Sequence, residues 1–347
     1  MTRSTTTATA ARDPLRIAVL GVGRIGKMHA ELVARQVPGA ALAYVQDVNE
    51  MAAKAVGSEL GVPFTPDVDA VLSSSDVDAV AICSSTDTHV PLLIAAANAG
   101  KAIFCEKPIS LDLAAVDQAL AVVAGSGVPL QIGFNRRFDP AHASVRDAVV
   151  SGAVGDVHMV RITSRDPAPP PISYVKVSGG LFLDMTIHDF DMARFITGSE
   201  VTEVYARAAV RVDPAIGEAG DVDTAVVVLT HANGAITTID NSRQAVYGYD
   251  QRVEAFGSEG MAASDNPLQH TGSRRSAAGT TSTTIPYFFL DRYIPSYIHE
   301  WAAFVAYVSG GGDSPVPAAD GRAPLVIGLA AKKSVEENRV VQISEIG

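Results

Sequence analysis

Arg16-Ile-Ala-Val-Leu-Gly21-Val-Gly-Arg-Ile-Gly26 is the stretch that decides the fold of the first part of the chain. Its first five residues form a short apolar run, which is typical of a buried strand, and a helix-length segment follows the glycines. Glycine at 21 permits a tight turn, glycine at 23 lets the backbone approach a phosphate, and glycine at 26 allows close packing of helix on strand. The stretch therefore predicts a strand, a turn and a helix whose N-terminus binds an anion.

The same pattern continues from residue 15 to residue 134. Short apolar runs recur, and helix-length segments separate the first four of them; the runs are 16–20, 41–46, 79–83, 102–105 and 130–132. Strands that alternate with helices and are apolar throughout are typical of a parallel sheet covered on both faces. We expect an α/β domain with a doubly wound parallel sheet over 15–134.

A different pattern begins near residue 157. Five strand-like runs are separated by Gly, Asn and Asp turns, and they cover 157–163, 203–212, 224–230, 235–241 and 252–255. His231-Ala-Asn-Gly234 is a strong hairpin pattern. We expect an α+β domain over 135–347 with an open-faced, mainly antiparallel sheet, whose helices at 182–197 and 297–308 cover one face. The other face is free for a partner subunit, and residues 1–14 are expected to be a disordered tail.

Composition excludes several classes of function. The 347 residues carry a formal net charge of −11, and Lys and Arg are scattered, which argues against nucleic acid or anionic membranes as partners. No apolar run approaches the ~20 residues that cross a bilayer. The two cysteines, Cys83 and Cys105, belong to no metal-ligand motif, and we predict no metal. A cytoplasmic enzyme that acts on a small molecule fits best.

The glycine turn has the context of a dinucleotide site. Asp47 ends the second predicted strand, 21 residues beyond Gly26, where an acidic residue hydrogen-bonds the adenosine ribose. Its charge repels a 2′-phosphate, so the sequence predicts NAD rather than NADP. Arg24 and Ile25 lie inside the turn, and Arg24 is placed to reach the pyrophosphate or the adenine face.

Asp184 and His188 are four residues apart in a stretch predicted to be helical. On one helix face, a carboxylate and an imidazole meet or converge on one substrate, which makes a general base. Asp191 extends the same face. The alternative is a helix cap or a surface pair, since a lone histidine is weak evidence.

Four motifs together resemble the Gfo/Idh/MocA oxidoreductases. They are Cys105-Glu-Lys-Pro108, Ser84-Ser-Thr-Asp-Thr-His89, Gly133-Phe-Asn-Arg-Arg-Phe138 and the segment from Asp184 to His188. The similarity runs from about residue 15 to the C-terminus. Within the family, Asp184-Met-Thr-Ile-His-Asp-Phe-Asp191 and Ser164-Arg-Asp-Pro167 are most similar to the myo-inositol 2-dehydrogenases.

The resemblance implies a set of site residues. Lys107, Asp184 and His188 form the implied catalytic set: His188 accepts the hydroxyl proton, Lys107 stabilises the alkoxide, and Asp184 tunes both. Implied cofactor contacts come from Gly21, Gly23, Arg24, Ile25, Gly26, Asp47, Ser84, Thr86, His89, Glu106 and Lys107. Implied substrate contacts come from Arg137, Asp191 and Tyr247.

Several of these residues have a plain structural alternative. A salt bridge is about as good an interpretation of Arg137, packing explains Tyr247, and His89 fits the start of a helix before Pro91. Lys107 as a surface lysine is the weaker alternative, because ligands bind at the carboxyl ends of such strands.

The expected activity is NAD-dependent oxidation of myo-inositol to 2-keto-myo-inositol, also called scyllo-inosose. Two alternatives stay open. One is a dehydrogenase of another cyclic polyol or a hexose, such as scyllo-inositol, glucose or a derivative, because loop contacts set ring stereochemistry. The other is a non-catalytic NAD-binding regulator. The family resemblance also implies a homo-oligomer, commonly a tetramer.

Overall fold

The computed structural model describes residues 13–347, so the predicted tail falls almost wholly outside the described residues. The chain divides into two compact units. Unit 1 comprises residues up to 105 together with 122–130 and 301–315, and unit 2 comprises 106–121, 131–300 and 316–347. The units are interleaved along the chain, whereas the predicted domains are consecutive. The boundary between residues 134 and 135 stays a prediction.

The first sheet has six strands in the order β3-β2-β1-β4-β5-β6, with parallel pairing. The strands are β1 (Leu15–Leu20), β2 (Ala40–Gln46), β3 (Phe64–Thr65), β4 (Ala79–Ile82), β5 (Ala102–Glu106) and β6 (Leu130–Gly133). All five predicted strands are confirmed. Sequence analysis missed β3, because a two-residue edge strand has no periodicity to detect.

Helices follow the strands of this part of the chain. They are α1 (Arg24–Arg35), α2 (Glu50–Leu60), α3 (Val68–Ser73), α4 (Thr86–Asn98) and α5 (Leu113–Ser126). The strand order reverses between β1 and β4, and in such sheets the crevice at this reversal binds ligands. In unit 1 an aromatic cluster completes the core: the rings of Phe104 and Trp301 stack at 4.5 Å, and Trp301 Nε1 donates to His29 Nδ1 at 2.9 Å.

The second sheet has seven strands in the order β12-β11-β7-β10-β9-β8-β15. They are β7 (Val157–Arg165), β8 (Val201–Ala209), β9 (Thr224–His231), β10 (Ile236–Ser242), β11 (Asp250–Gly257), β12 (Met261–Ser264) and β15 (Val341–Gln342). Only β7 and β10 pair in parallel; all the other neighbours are antiparallel. The predicted mainly antiparallel sheet and the hairpin at Gly234 are confirmed.

The predicted strand 203–212 is too long at its end. β8 stops at Ala209, because the carboxylate of Asp223 accepts hydrogen bonds from the backbone N–H groups of Arg211 and Val212 at 2.7 and 2.8 Å. These bonds take the place of pairing in the sheet. Beyond the sheet, the predicted exposed loop 271–284 contains an exposed hairpin of β13 (Ser273–Ser276) and β14 (Gly279–Ser282).

Helices cover one face of the second sheet. The helices from residue 140 onward are α6 (Pro140–Val150), α7 (Ile172–Val175), α8 (Ile187–Thr197), α9 (Pro214–Glu218), α10 (Phe289–Gly310) and α11 (Ala318–Glu337). The predicted helix 297–308 lies within α10, but α10 contributes no residue to the core under the second sheet, and from Trp301 onward it belongs to unit 1. Single turns of 3-10 helix lie at Asn135–Phe138 and Ile343–Glu345. Phe190 and Ile327 pack on inward side chains such as Val227. On the opposite face, apolar side chains are exposed, namely Met159, Val226, Ile236 and Phe256.

Candidate active site

The glycine turn between β1 and α1 has the shape that a dinucleotide requires. Gly21 has a φ of 86°, and an added Cβ would lie 2.5 Å from the Cα of Ser84. A Cβ on Gly26 would lie 1.8 Å from the carbonyl oxygen of Gly21. At Gly23, by contrast, a Cβ would meet nothing within 4 Å. The turn therefore leaves open space beside Gly23, and a side chain there would fill it.

The N-terminus of α1 faces this turn. No side chain caps it, and the first hydrogen bond inside the helix runs from Lys27 N to Gly23 O at 2.8 Å. The backbone N–H groups of Arg24, Ile25 and Gly26 precede that bond, where a helix stabilises anions. These residues fit the pyrophosphate of a bound dinucleotide.

Asp47 is held beside the same turn. Its Oδ2 accepts a hydrogen bond from Val22 N at 2.8 Å, and its Oδ1 accepts one from Asn49 N at 2.9 Å. Each carboxylate oxygen has a second lone pair, so the group can still accept from a ribose hydroxyl. The predicted contact of Asp47 with the ribose stays a prediction.

The segment after β4 is braced by its own hydrogen bonds. The hydroxyls of Ser84 and Thr88 lie 2.5 Å apart, and His89 Nε2 lies 3.1 Å from the carbonyl oxygen of Ser84. Thr86 is the first residue of α4. His89 is buried in contact with the loop before its own helix, which agrees with the helix-start interpretation, and its contact with the cofactor stays a prediction.

Lys107 and Asp184 meet in unit 2. Lys107 Nζ donates a hydrogen bond to the backbone carbonyl of Asp184 at 3.0 Å and lies 3.9 Å from Asp184 Oδ1. Both side chains are mostly buried, with exposed fractions of 16% and 13%. The surface alternative for Lys107 therefore fails. The neighbouring Glu106 is buried and accepts from Lys107 N at 3.2 Å.

Asp184 and His188 are not on one α-helix, which corrects the expected helix 182–197. Residues Leu181–Met185 form a wide helical turn, closed by a bond from Thr186 N to Leu181 O at 2.9 Å, and α8 starts only at Ile187. Within the described residues, Nδ1 of His188 is buried and has no hydrogen-bond partner. The two side chains do not pair with each other, and their convergence on one substrate stays a prediction.

The His188 imidazole sits in an apolar and cationic environment. Its ring meets the ring of Phe134 edge-on, with centroids 6.0 Å apart. Burial lowers the pKa of His188 well below its ordinary value, and the positive charges of Lys107 and Arg136 lower it further. The ring is therefore neutral near neutral pH, which is the form that accepts a proton.

Sequence analysis missed three residues that surround Asp184. Tyr174 donates its hydroxyl to Asp184 Oδ1 at 2.9 Å, and Arg243 Nη1 donates to Asp184 Oδ2 at 3.2 Å. Arg243 Nη1 also lies 3.4 Å from Asp166 Oδ2. Asp166 follows β7 and Arg243 follows β10, the one parallel pair of the second sheet. No local pattern reveals that pairing, although Asp166 lies within a motif that carried the resemblance.

The residues predicted to contact substrate are engaged with other side chains. Arg137 makes a two-pronged salt bridge to Asp191, from Nε at 2.8 Å and from Nη2 at 2.5 Å, and its Nη1 donates to Asp320 at 2.8 Å. Asp191 is fully buried. This geometry favours the salt-bridge alternative. Tyr247 is 46% exposed and donates to Asp250 at 2.7 Å.

Two features are absent from residues 13–347. No group of three or more His, Cys, Asp or Glu side chains in this range is placed to hold a metal ion. No helix in the same range is long and apolar enough to span a membrane.

The chain matches known families over most of its length. Residues 15–134 match the oxidoreductase family with an NAD-binding Rossmann fold, and residues 142–263 match the GFO/IDH/MocA C-terminal domain. The first match spans the first predicted domain, and the second match lies within the second predicted domain.

Similar proteins extend over nearly the whole chain. The myo-inositol 2-dehydrogenase of Thermotoga maritima is 49% identical over 333 residues, which cover 96% of this chain and 99% of that protein. The crystal structure of a myo-inositol dehydrogenase from Corynebacterium glutamicum has a TM-score of 0.91 at 39% identity, covering 95% of this chain and 98% of its own. A scyllo-inositol dehydrogenase from Lactobacillus casei, solved with NAD(H) and scyllo-inositol, has a TM-score of 0.89 at 32% identity, with coverages of 95% and 99%.

Proposed function

The chain belongs to the GFO/IDH/MocA oxidoreductases, and from this premise we propose that it oxidises myo-inositol to 2-keto-myo-inositol with NAD as the hydride acceptor. Relatives named as inositol 2-dehydrogenases at 46 and 49% identity support the substrate. The observation that carries the proposal is the contact of Lys107 with Asp184, in the same unit as a neutral, buried imidazole at His188.

The residues of unit 2 supply the proton chemistry. Oxidation of a secondary alcohol breaks a C–H bond, whose hydride leaves with the cofactor, and an O–H bond, whose proton must go to a base. His188 takes this proton on its imidazole. The ammonium group of Lys107 stabilises the negative charge that develops on the substrate oxygen, and Asp184 keeps that ammonium group in place.

The residues of unit 1 hold NAD. The open space at Gly23 and the uncapped N-terminus of α1 receive the pyrophosphate, and Asp47 receives the adenosine ribose. A bound NAD supplies the electron-pair acceptor that this chain's side chains lack. The position of Asp47 supports NAD over NADP.

We further propose a cytoplasmic homo-tetramer. Support comes from the exposed apolar face of the second sheet, where Val226 is 52% and Phe256 is 49% exposed. Large exposed apolar patches mark contact surfaces between proteins. Light scattering coupled to size exclusion tests the assembly: a mass other than that of four chains would contradict it.

A polyol panel tests the function. Purified protein is incubated with NAD and myo-inositol, scyllo-inositol, glucose, glucose 6-phosphate or a deoxyinositol, and NADH formation is followed. We expect the highest kcat/KM with myo-inositol, because a site that binds every ring hydroxyl discriminates against analogues lacking one. A higher kcat/KM with scyllo-inositol or a hexose would favour that substrate instead. No turnover with any of these compounds would favour the non-catalytic NAD-binding regulator.

His188→Ala separates chemistry from binding in the same assay. We expect kcat to fall by roughly 100-fold or more, because a general base contributes about that much. The Kd of NADH, measured by fluorescence, should stay within about twofold. Turnover near the unmutated level at neutral pH would refute the assignment of His188 as the base.

A further inference from the structure

Arg243 occupies a fixed position beside the predicted catalytic residues. Its backbone N–H donates to the carbonyl of Asp223 at 2.8 Å. Next to it, Asp166 N donates to Ser242 O at 2.9 Å, and Ala245 N donates to Asp166 O at 2.6 Å. The ends of β7 and β10 are thus joined through the backbone, and this connection holds Arg243 opposite Asp166.

The guanidinium of Arg243 lies between two carboxylates. Nη1 is 3.2 Å from Asp184 Oδ2 and 3.4 Å from Asp166 Oδ2, and the side chain is only 3% exposed. Its Nε and Nη2 are buried and have no hydrogen-bond partner in the described residues. The two contacts through Nη1 are therefore the direct side-chain contacts of this guanidinium within the described residues.

The buried carboxylate of Asp166 is stabilised by that charge. Burial raises the pKa of Asp166 and the nearby Asp184 raises it further, whereas Arg243 and Arg136 lower it. The other charged groups around the cluster are Lys107 beside Asp184 and Asp221 near Arg243. Without Arg243, two carboxylates would share one site with less positive charge, and such pairs tend to retain a proton.

We propose that Arg243 is a positioning residue for the oxidation: it holds Asp184 and Asp166 as a pair of carboxylates, and Asp184 in turn holds the ammonium group of Lys107. The proposal rests on the function proposed above. Arg243 acts through Asp184 and is not itself a reacting group. The chain of contacts runs from Arg243 Nη1 to Asp184 Oδ2, and from the Asp184 backbone oxygen to Lys107 Nζ.

Arg243→Gln and Arg243→Lys test the role in catalysis. For Arg243→Gln we expect kcat to fall by roughly 10 to 100-fold, because a displaced catalytic group loses about this much. The acid limb of the kcat/KM profile should move to higher pH by about one unit. The reason is that the carboxylates of Asp184 and Asp166 lose a neighbouring positive charge, and such a charge shifts the pKa of a carboxyl group by at least that amount. Arg243→Lys should keep most of the unmutated kcat and an acid limb close to its unmutated position.

The matched control is Arg322→Gln, which removes a guanidinium paired with Asp117 on the surface. It should leave kcat and the pH profile unchanged. A pH profile of Arg243→Gln that coincides with the unmutated profile would overturn the proposal, as would equal losses in the Gln and Lys variants.

A stability measurement keeps this test separate from the proposed function. Two carboxylates without Arg243 repel each other when ionised, so Arg243→Gln should lower Tm more at about pH 8 than at about pH 5. In the double variant Asp166→Asn with Arg243→Gln, this pH dependence should disappear. A loss of Tm that is equal at both pH values would overturn the proposal. This result can be read even if no polyol is oxidised.

Discussion

Lys107 Nζ contacts Asp184 twice, at the backbone carbonyl oxygen at 3.0 Å and at Oδ1 at 3.9 Å. The lysine comes from the end of β5, and the aspartate comes from the wide turn before α8. One hydrogen bond and one longer ion-pair contact to the same residue limit the rotation of a flexible four-carbon side chain. The ammonium group is therefore held in place before any substrate binds, as the role proposed for Lys107 in electrostatic catalysis requires.

Lys107→Ala should lower kcat by about 100 to 1,000-fold, the usual cost of removing one donor to a developing oxyanion. The Kd of NADH should change little. Steady-state kinetics gives kcat, and fluorescence titration gives the Kd. Lys107→Arg serves as the control that keeps the charge but changes its shape. A large rise in the Kd of NADH with kcat retained would reassign Lys107 to cofactor binding.

Gly23→Ala should weaken NAD binding without affecting the fold. The φ of Gly23 is −60°, which alanine tolerates, and the new Cβ meets no protein atom within 4 Å. The methyl group would occupy the space assigned to the pyrophosphate, so we expect the Kd of NADH to rise by about tenfold or more at unchanged Tm.

Gly26→Ala is the matched control for that experiment, because its Cβ would collide with the carbonyl of Gly21 at 1.8 Å. This variant should lose stability as well as binding. An unchanged Kd of NADH in Gly23→Ala would show that the pyrophosphate lies elsewhere.

Asp47→Ser should relax the choice between the two cofactors. The carboxylate stands at the end of β2, where a 2′-phosphate would face its negative charge. We expect the ratio of kcat/KM for NAD over NADP to fall by about tenfold. Asp47→Asn, which removes the charge at constant size, should show the same trend. Equal efficiencies with NAD and NADP before any mutation would refute the proposed repulsion.

Sequence patterns predicted those features that depend on neighbours along the chain. The strands of the first sheet and the hairpin at Gly234 come from local periodicity and turn chemistry, and both were confirmed. The glycine turn was found for the same reason. The spacing of its three glycines is local, although the atoms that crowd Gly21 belong to Ser84, which follows β4.

The environment of Asp184 could not be predicted in this way. Tyr174 and Arg243 contact Asp184 from separate segments, and Asp166 joins them through Arg243. Arg243 and Asp166 meet only because β7 and β10 pair in parallel within a mainly antiparallel sheet. The wide turn at Leu181–Met185 also looks like ordinary helix in the sequence, since its residues are helix-compatible. The four-residue spacing therefore suggested a contact between the side chains of Asp184 and His188, which is absent because the two residues do not lie on one regular α-helix.

His142 should make the protein less stable in acid. Its ring is fully buried between Ser264 Oγ, at 2.9 Å from Nδ1, and the hydroxyl of Tyr293, and burial lowers its pKa to about 3. The unfolded chain binds a proton near pH 6.5, but the folded one does not. Burial of His142 therefore costs no stability above about pH 6.5. Below that pH the free energy of unfolding falls by about 1.4 kcal/mol per pH unit.

The measurement compares His142→Gln with the unmutated protein from about pH 7.5 to 5. Burial lowers the pKa of His188 and of His231 as well, so the variant should remove only part of the slope of Tm against pH. His270→Gln, in the exposed segment before β13, is the control and should leave the slope unchanged. Identical slopes in all three proteins would contradict a neutral buried His142.

Arg137→Met decides between the two interpretations of Arg137. The side chain bridges Asp191 and Asp320, and Arg194 Nη1 also binds Asp320 at 2.7 Å. Burial raises the pKa of Asp191, and the charge of Arg137 is what lowers it again. Removing Arg137 leaves a buried carboxylate without its main partner, which costs about 3 to 5 kcal/mol in folding stability.

We therefore expect a large drop in Tm and, in the protein that remains folded, a KM for myo-inositol within about threefold of the unmutated value. If instead Tm holds while that KM rises at least tenfold, Arg137 belongs to the substrate site, and the salt bridge to Asp191 is how the site is kept ready for a ring hydroxyl.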